Sequence, residues 1–293
     1  VRRDCNNRCR FCPLAPGVAL AGGDEGTLGE RVAAARAQGA SRLVLAGGEP
    51  TLADELIGAV ARARALGVTD VVVQTNGRRL AYRGYAASLV AAGVTALEVS
   101  LHGPNKAVHD YHTRVPNSFR QTLAGLEHVV STGASVLVTM TVTRSNVHLL
   151  RSMVVLVGSI GVRLLRMSSC VPLGRAPPSL MPRLALARDY LGVAAREAQR
   201  QAVSLAVSHL PPCALPESSL SVLVSDADLA LGTYGPSCVG CLARSCCCGV
   251  AAAYAELYGT AELRPLMRPR SSDTPAIDLE RCASGPLAAC ARG

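Results

Sequence analysis

Cys5, Cys9 and Cys12 stand close to the start of the 293-residue chain, in the run Asp4-Cys5-Asn6-Asn7-Arg8-Cys9-Arg10-Phe11-Cys12. The spacing C-x3-C-x2-C lets three thiolates from one short loop converge on one metal centre. Three thiolates are one fewer than a closed tetrahedral zinc site or a four-cysteine iron–sulfur site takes. A cubane cluster held this way keeps one iron with an open position, and an open position marks reactive rather than structural metal.

A second group of thiols lies far along the chain. Nine of the 12 cysteines fall from Cys170 onward. Cys213 follows Pro211-Pro212, and after an interval come Cys238-Val239-Gly240-Cys241 and the triplet Cys246-Cys247-Cys248, followed by Gly249. A four-cysteine set suits a closed centre, whether an iron–sulfur cluster or structural zinc. Cys282 and Cys290 read as free thiols, with a further site shared among these, Cys170 and Cys246 left open. Cys170 reads either as a small buried hydrophobe or as a thiol facing a substrate cavity.

The elements that position these residues alternate. Residues 30–38 read as an Ala-rich helix ended by Gly39, and 43–46 as a short strand closed by Gly47-Gly48-Glu49-Pro50. Helix is then expected over 54–66, 80–92, 118–131 and 147–158, and strand over 68–73, 96–101, 136–142 and 162–167. Such alternation with short connections specifies an α/β fold, a parallel sheet with crossover helices. Polar and glycine signals gather after the strands, the edge where β/α barrels build their active sites. Residues 171–183 read as an irregular loop with four prolines, and 184–206 as one long amphipathic helix. The expected organisation is 1–206 as the barrel, 207–267 as a Cys-rich extension and 268–293 as a loosely held tail.

Composition bounds the function. Apolar residues make up 49% of the chain, and Gly 27 with no Trp and two Phe suggest close helix-on-strand packing. The formal charge of +9 counts every thiol as neutral, and the basic residues are scattered without aromatic interleaving, so a nucleic-acid partner is not expected. Residues 153–162, the longest apolar run, are too short to span a bilayer, and no secretory signal is visible. Free, metal-binding thiols in a reducing cytoplasm follow. His109, His112, His128 and His148 show no ligand spacing and read as surface or capping residues.

Phe11 before the third cysteine, together with Gly47-Gly48-Glu49-Pro50 after the next strand, resembles the radical S-adenosylmethionine (SAM) superfamily over residues 1 to 170. The resemblance implies a partial (β/α)6 TIM-like barrel with a Cys-rich C-terminal extension. It implies that Cys5, Cys9 and Cys12 hold three irons of a [4Fe-4S] cluster and that SAM chelates the fourth. An electron donor such as flavodoxin or ferredoxin then drives cleavage of SAM to a 5′-deoxyadenosyl radical, which takes a hydrogen atom from the substrate. Phe11 would cover the cluster near the adenine, or else be a core aromatic. Gly47 and Gly48 would let backbone carbonyls reach the SAM ammonium, Glu49 would accept from it, and Pro50 would fix the turn. Asn76 and Ser100 at strand ends, and Arg144 after a later strand, would contact SAM, or else serve as cap and turn residues. Only Val1 to Asp4 precede Cys5, where the family carries a first barrel strand. Either the barrel is opened on that flank or the chain starts late, and no leader-peptide recognition domain is visible.

The C-terminal cysteines resemble the auxiliary-cluster region of relatives with SPASM or twitch extensions. On that likeness Cys213, Cys238, Cys241 and Cys247 would hold an auxiliary [4Fe-4S] cluster, with Cys248 or Cys246 as displaced alternatives to Cys247. Such extensions accompany peptide modification, so the expected substrate is a peptide or a small natural product, modified by oxidation or rearrangement. The reading of another class is a non-catalytic iron–sulfur electron carrier or a zinc-stabilised binding module.

Overall fold

Short β-branched runs, each closed by a polar or glycine turn, form the strands. The computed structural model describes residues 1, 4–14, 26–216, 221–223, 232–244 and 247–267. The chain runs α1 (Leu28–Ala37), β1 (Arg42–Leu45), α2 (Leu56–Ala65), β2 (Asp70–Thr75), α3 (Arg83–Ala91) and β3 (Ala96–Ser100). It continues through α4 (Lys106–Thr113), α5 (Ser118–Ser131), β4 (Ser135–Val142), α6 (Leu150–Ile160), β5 (Leu164–Ser169), α7 (Leu184–Gln201), β6 (Ser204–Ser208) and β7 (Ser221–Leu223). Helix α1 starts on a capping box, in which the Thr27 hydroxyl accepts from Glu30 N and the Glu30 carboxylate accepts from Thr27 N.

All seven strands lie parallel in sequence order, β1 to β7, as successive β/α crossovers require. The expected α/β barrel architecture is therefore present as an open, partial barrel. Alternation along the strands gives it two different faces. Val71 and Val73, Leu97 and Val99, Val138 and Met140, and Leu165 and Met167 pack with the helices in the main core. Val72 and Ala96 form a separate cluster on the opposite, concave face.

Two expectations need correction. The helix expected over 184–206 ends at Gln201: Ala202 turns left-handed at φ 50°, and the chain enters β6 at once. Ser204, Ala206 and Ser208 alternate with Leu205 and Val207 there, a strand period. A division after residue 206 therefore falls inside a strand that pairs with β5. The helix expected over 80–92 is instead a 3-10 turn at Arg79–Ala81 followed by α3. One helix was not anticipated: α4, capped by the Asn105 side chain on Val108 N.

Beyond the sheet, β8 (Gly232–Thr233) pairs antiparallel with β9 (Val250–Ala251), which leads into α8 (Ala252–Tyr258). Among the described residues no helix is long and apolar enough to cross a membrane. The tail expected over 268–293, with Cys282 and Cys290, lies outside the described residues, as does Cys246.

Candidate active site

The cysteine loop is pinned from several elements at once. Glu49 N donates to Asp4 O at 2.8 Å, Arg8 N to Thr113 O at 2.9 Å, Arg10 N to His112 O at 3.0 Å, and Arg175 N to Cys12 O at 2.9 Å. Arg78 donates through Nη1 to Asn6 O, and to Asn7 Oδ1 at 3.1 Å. A loop of nine residues is thereby fixed by the ends of β1, β2, α4 and the segment after β5. Cys5 is exposed and Cys9 and Cys12 are half-buried.

The three thiols crowd one another electrostatically. Burial pushes the Cys9 thiol up to about 12, and the neighbouring Cys5 and Cys12 push the same way. Burial also raises Cys5, opposed by Asn7 N, which donates to its Sγ at 3.4 Å. The raised Cys5 and Cys9 thiols would release their protons when a cationic metal centre balances the charge, and with Cys12 in the same loop the donor set fits such a centre. Among the described residues no three His, Cys, Asp or Glu side chains converge as a ready-made site for a single ion.

Gly174 shows how closely the loop is backed. It sits at φ +60°, and a Cβ there would lie 2.4 Å from Pro13 O and 2.6 Å from Cys12 O. Gly174→Ala is expected to push the loop out of place, with iron bound at the N-terminal cysteines falling severalfold while the melting temperature drops only a few degrees. Iron quantification beside a thermal melt checks this.

The sequence Gly47-Gly48-Glu49-Pro50 forms the turn out of β1. Gly47 has φ 155°, where only glycine sits without strain. Pro50 opens a 3-10 turn through Leu52. Glu49 is 1% exposed. Its Oε1 accepts from Thr51 N (3.0 Å), Thr51 Oγ1 (2.6 Å) and Thr75 Oγ1 (2.6 Å), and its Oε2 accepts from Asn76 N (2.7 Å). The carboxylate thus ties the ends of β1 and β2 together, and only Oε2 retains capacity for another donor.

Asn76 joins this bracket to the cysteines. Its Nδ2 donates to Asn6 Oδ1 at 2.6 Å and approaches Cys5 Sγ at 3.8 Å. Ser100 ends β3, in register with Thr139. Arg144 is exposed, and its backbone N donates to Leu180 O at 2.8 Å. No hydrogen bond among the described residues joins its side chain to the cysteine loop.

Phe11 is half-buried, edge-on to His102 with ring centroids 4.6 Å apart and 5.8 Å from His112. Surface or capping roles for His109 and His112 are overturned, since both are fully buried. His112 Nδ1 donates to Val108 O at 2.7 Å, so its Nε2 accepts from Thr143 Oγ1 (2.8 Å) and Ser145 Oγ (3.0 Å). His109 Nδ1 accepts from His102 N at 3.1 Å, which leaves its buried Nε2–H without a hydrogen-bond partner. Burial holds His102 well below the usual histidine range and His109 down at about 4. The three rings are therefore neutral packing groups that back Phe11. Only the polar cap at Asn105, ahead of an apolar-and-His periodicity, could have signalled them.

A second thiol group gathers beyond the barrel. Cys213, Cys238, Cys241 and Cys247 line one cavity of about 320 Å³, together with Tyr234 and Leu263. Burial raises the Cys247 thiol, and the other three thiols add to the effect. Backbone N–H groups reach two of the sulfurs, Leu266 N to Cys241 Sγ and Gly249 N to Cys247 Sγ, each at 3.3 Å. Cys248 lines a different cavity, of about 520 Å³, with Cys170, His209, Met181 and Tyr254. The thiol of Cys170 is pushed up to about 12 by burial there.

Residues 1–148 match the Radical SAM superfamily. Over 178 residues the chain is 26% identical to the AdoMet-dependent heme synthase of Oleidesulfovibrio alaskensis, a match covering 60% of this chain and 45% of that protein. It is 35% identical over 118 residues to the GTP 3′,8-cyclase of Moorella thermoacetica, covering 39% of this chain and 36% of that one. The chain thus matches less than half the length of these relatives. Streptococcus suis SuiB, solved with its precursor peptide SuiA, shares the fold with a TM-score of 0.58 at 15% identity, over 70% of this chain and 46% of SuiB. With the matched profile spanning the three-cysteine loop, the Glu49 bracket and the first four strands, the chain belongs to the radical SAM superfamily.

Proposed function

We propose that this enzyme cleaves SAM reductively at a [4Fe-4S] cluster held by Cys5, Cys9 and Cys12, and that it modifies a peptide or small natural product by oxidation or rearrangement. The observation that carries the reading is the pinned cysteine loop set against the Glu49–Asn76 bracket at the strand ends. The cluster and SAM supply the 5′-deoxyadenosyl radical when bound; the residues of the chain hold and shield them. Asn76 and Glu49 fix the loop's distance from β1 and β2, and Gly47 opens the backbone toward the amino group of SAM. Phe11, backed by His102, screens the loop, while Ser100 and Arg144 supply polar contacts to SAM from the mouth of the barrel. A cytoplasmic setting with a flavodoxin or ferredoxin as electron donor belongs to this reading.

In the same proposal Cys213, Cys238, Cys241 and Cys247 hold an auxiliary [4Fe-4S] cluster. Their shared cavity and the raised thiols of Cys213 and Cys247 support that set, and the separate cavity of Cys248 favours Cys247 as the fourth ligand. The peptide named with SuiB supports a peptide substrate, and the heme synthase and GTP cyclase names support a small molecule. An electron carrier or zinc module has no need for a glycine-opened turn at Gly47 to Pro50 to receive the amino group of SAM.

Anaerobic reconstitution followed by iron and sulfide counting tests the two-centre arrangement. Wild type is expected to load about eight irons, and Cys241→Ala about four, with SAM cleavage partly retained. Zinc at the second site in protein purified without oxygen would contradict the auxiliary cluster.

A further inference from the structure

The inner face of the barrel carries charge where a packed barrel would be apolar. Glu98 on β3 and Arg166 on β5 form an ion pair through Oε1 and Nη2, and Gln74 Nε2 on β2 donates to Glu98 Oε2 at 3.0 Å. Strand β4 lies between β3 and β5. The two side chains therefore reach across a whole strand, about 10 Å of sheet, and can do so only over the concave face. Their strand neighbours Leu97, Val99, Leu165 and Met167 are completely buried on the helix side. The pair itself is not sealed: 24% of the Arg166 side chain and 11% of the Glu98 side chain are accessible. Among the described residues the hydrogen bonds of Arg166 run through Nη2 alone, which leaves further guanidinium N–H groups for a ligand.

Above the pair, along the same face, the wall stays polar and then turns apolar. Ser168 stands one strand repeat, about 7 Å, beyond Arg166. It accepts from Ser208 Oγ at 2.8 Å and pairs with His209 Nδ1 at 2.7 Å. His209 in turn lines the cavity of about 520 Å³, whose walls include Met181, Leu184, Val250 and Tyr254. His209 also holds a left-handed backbone at φ 58°, a conformation that non-glycine residues keep mainly where the surroundings impose it.

Building on the radical SAM reading, we propose that the Glu98–Arg166 pair reads a peptide-type amide of the substrate, with an adjoining apolar side chain seated in the chamber beside Cys170 and His209. The pair offers a donor and an acceptor side by side, the complement of an amide's C=O and N–H. It is also already neutral. A carboxylate or an ammonium bound there would add an uncompensated charge inside the barrel, whereas an amide adds none.

The test uses reconstituted holoenzyme with SAM and three probes: N-acetyl-leucinamide, N-acetyl-leucine and leucinamide. They share one side chain and are respectively neutral, anionic and cationic. Isothermal titration or saturation-transfer NMR is expected to show the neutral diamide binding at least tenfold more tightly than either charged probe. Removing only one partner would strand a buried charge and risk the fold, so the variant is the double change Glu98→Met and Arg166→Met. It should keep its thermal melt and its SAM binding while losing the tenfold preference. Equal binding of the three probes to wild type, absence of binding by all of them, or a preference that survives in the double variant would overturn the proposal and leave the pair as a brace across β4. Formation of 5′-deoxyadenosine is measured separately, so a failure of the radical SAM reading is distinguishable from a failure of the amide site.

Discussion

Cys9→Ala is expected to reduce 5′-deoxyadenosine formation to the level of a reaction without protein, while leaving unchanged any iron at the proposed C-terminal centre. Cys9 sits between Cys5 and Cys12 in the loop, and burial first and then both neighbouring thiols raise its own. With two thiolates left, a cubane cluster loses the anchorage that leaves one iron alone open. The loop is held by backbone hydrogen bonds to Glu49, Thr113, His112 and Arg175, none of which uses this side chain. The expected signature is therefore a loss of about four irons and of all nucleoside product, with circular dichroism and melting temperature close to wild type. Substantial nucleoside formation by this variant would remove the loop from the chemistry.

Glu49→Ala has the second large effect, and it reaches stability as well as activity. Four donors converge on this carboxylate at 2.6–3.0 Å in a setting 1% exposed. Each buried donor left unmet costs about 1–3 kcal/mol, moderated as hydroxyls reorient. A net loss of about 4 kcal/mol, or a melting temperature roughly 10 °C lower, is expected for a domain of this size. Glu49→Gln keeps one acceptor oxygen and should recover about half of that loss. If the bracket also sets the SAM site, Glu49→Gln still impairs SAM cleavage severalfold at temperatures where it is fully folded. Differential scanning calorimetry alongside a nucleoside assay separates the two contributions.

The barrel was legible because its strands announce themselves twice, by short β-branched runs and by the polar or glycine turns that follow. Residues 96–101 and 136–142 fall on β3 and β4 within a residue. The end of α7 was not legible. Ala202 terminates that helix in a left-handed conformation that glycine would have advertised and alanine does not. Ser204 to Ala206 then merged into the helical pattern because strand and helix readings overlap over so short a stretch.

The cysteine loop was readable from spacing alone, but its supports were not. Gly174, Arg78 and Thr113 lie 162, 72 and 105 positions from Cys12, Asn6 and Arg8, separations no local pattern encodes, and only folding brings them together. The buried histidines were misread for the same reason. His109 and His112 share one helix face, yet His112 is packed by Phe11 and Thr143, and His109 by His102 and Phe119. Among the adjacent C-terminal cysteines, spacing left the register open. The β8–β9 pairing of Thr233 with Val250 fixes the strand just after Cys247 and Cys248, and those two side chains face different cavities.

The measurement that bears most directly on the whole account is nucleoside formation by the intact protein. Reconstituted without oxygen, given SAM and a low-potential reductant, and analysed by liquid chromatography, the wild-type chain is predicted to release 5′-deoxyadenosine and methionine in equal amounts. Full loading of iron and sulfide with no 5′-deoxyadenosine above a reductant-only control would contradict it.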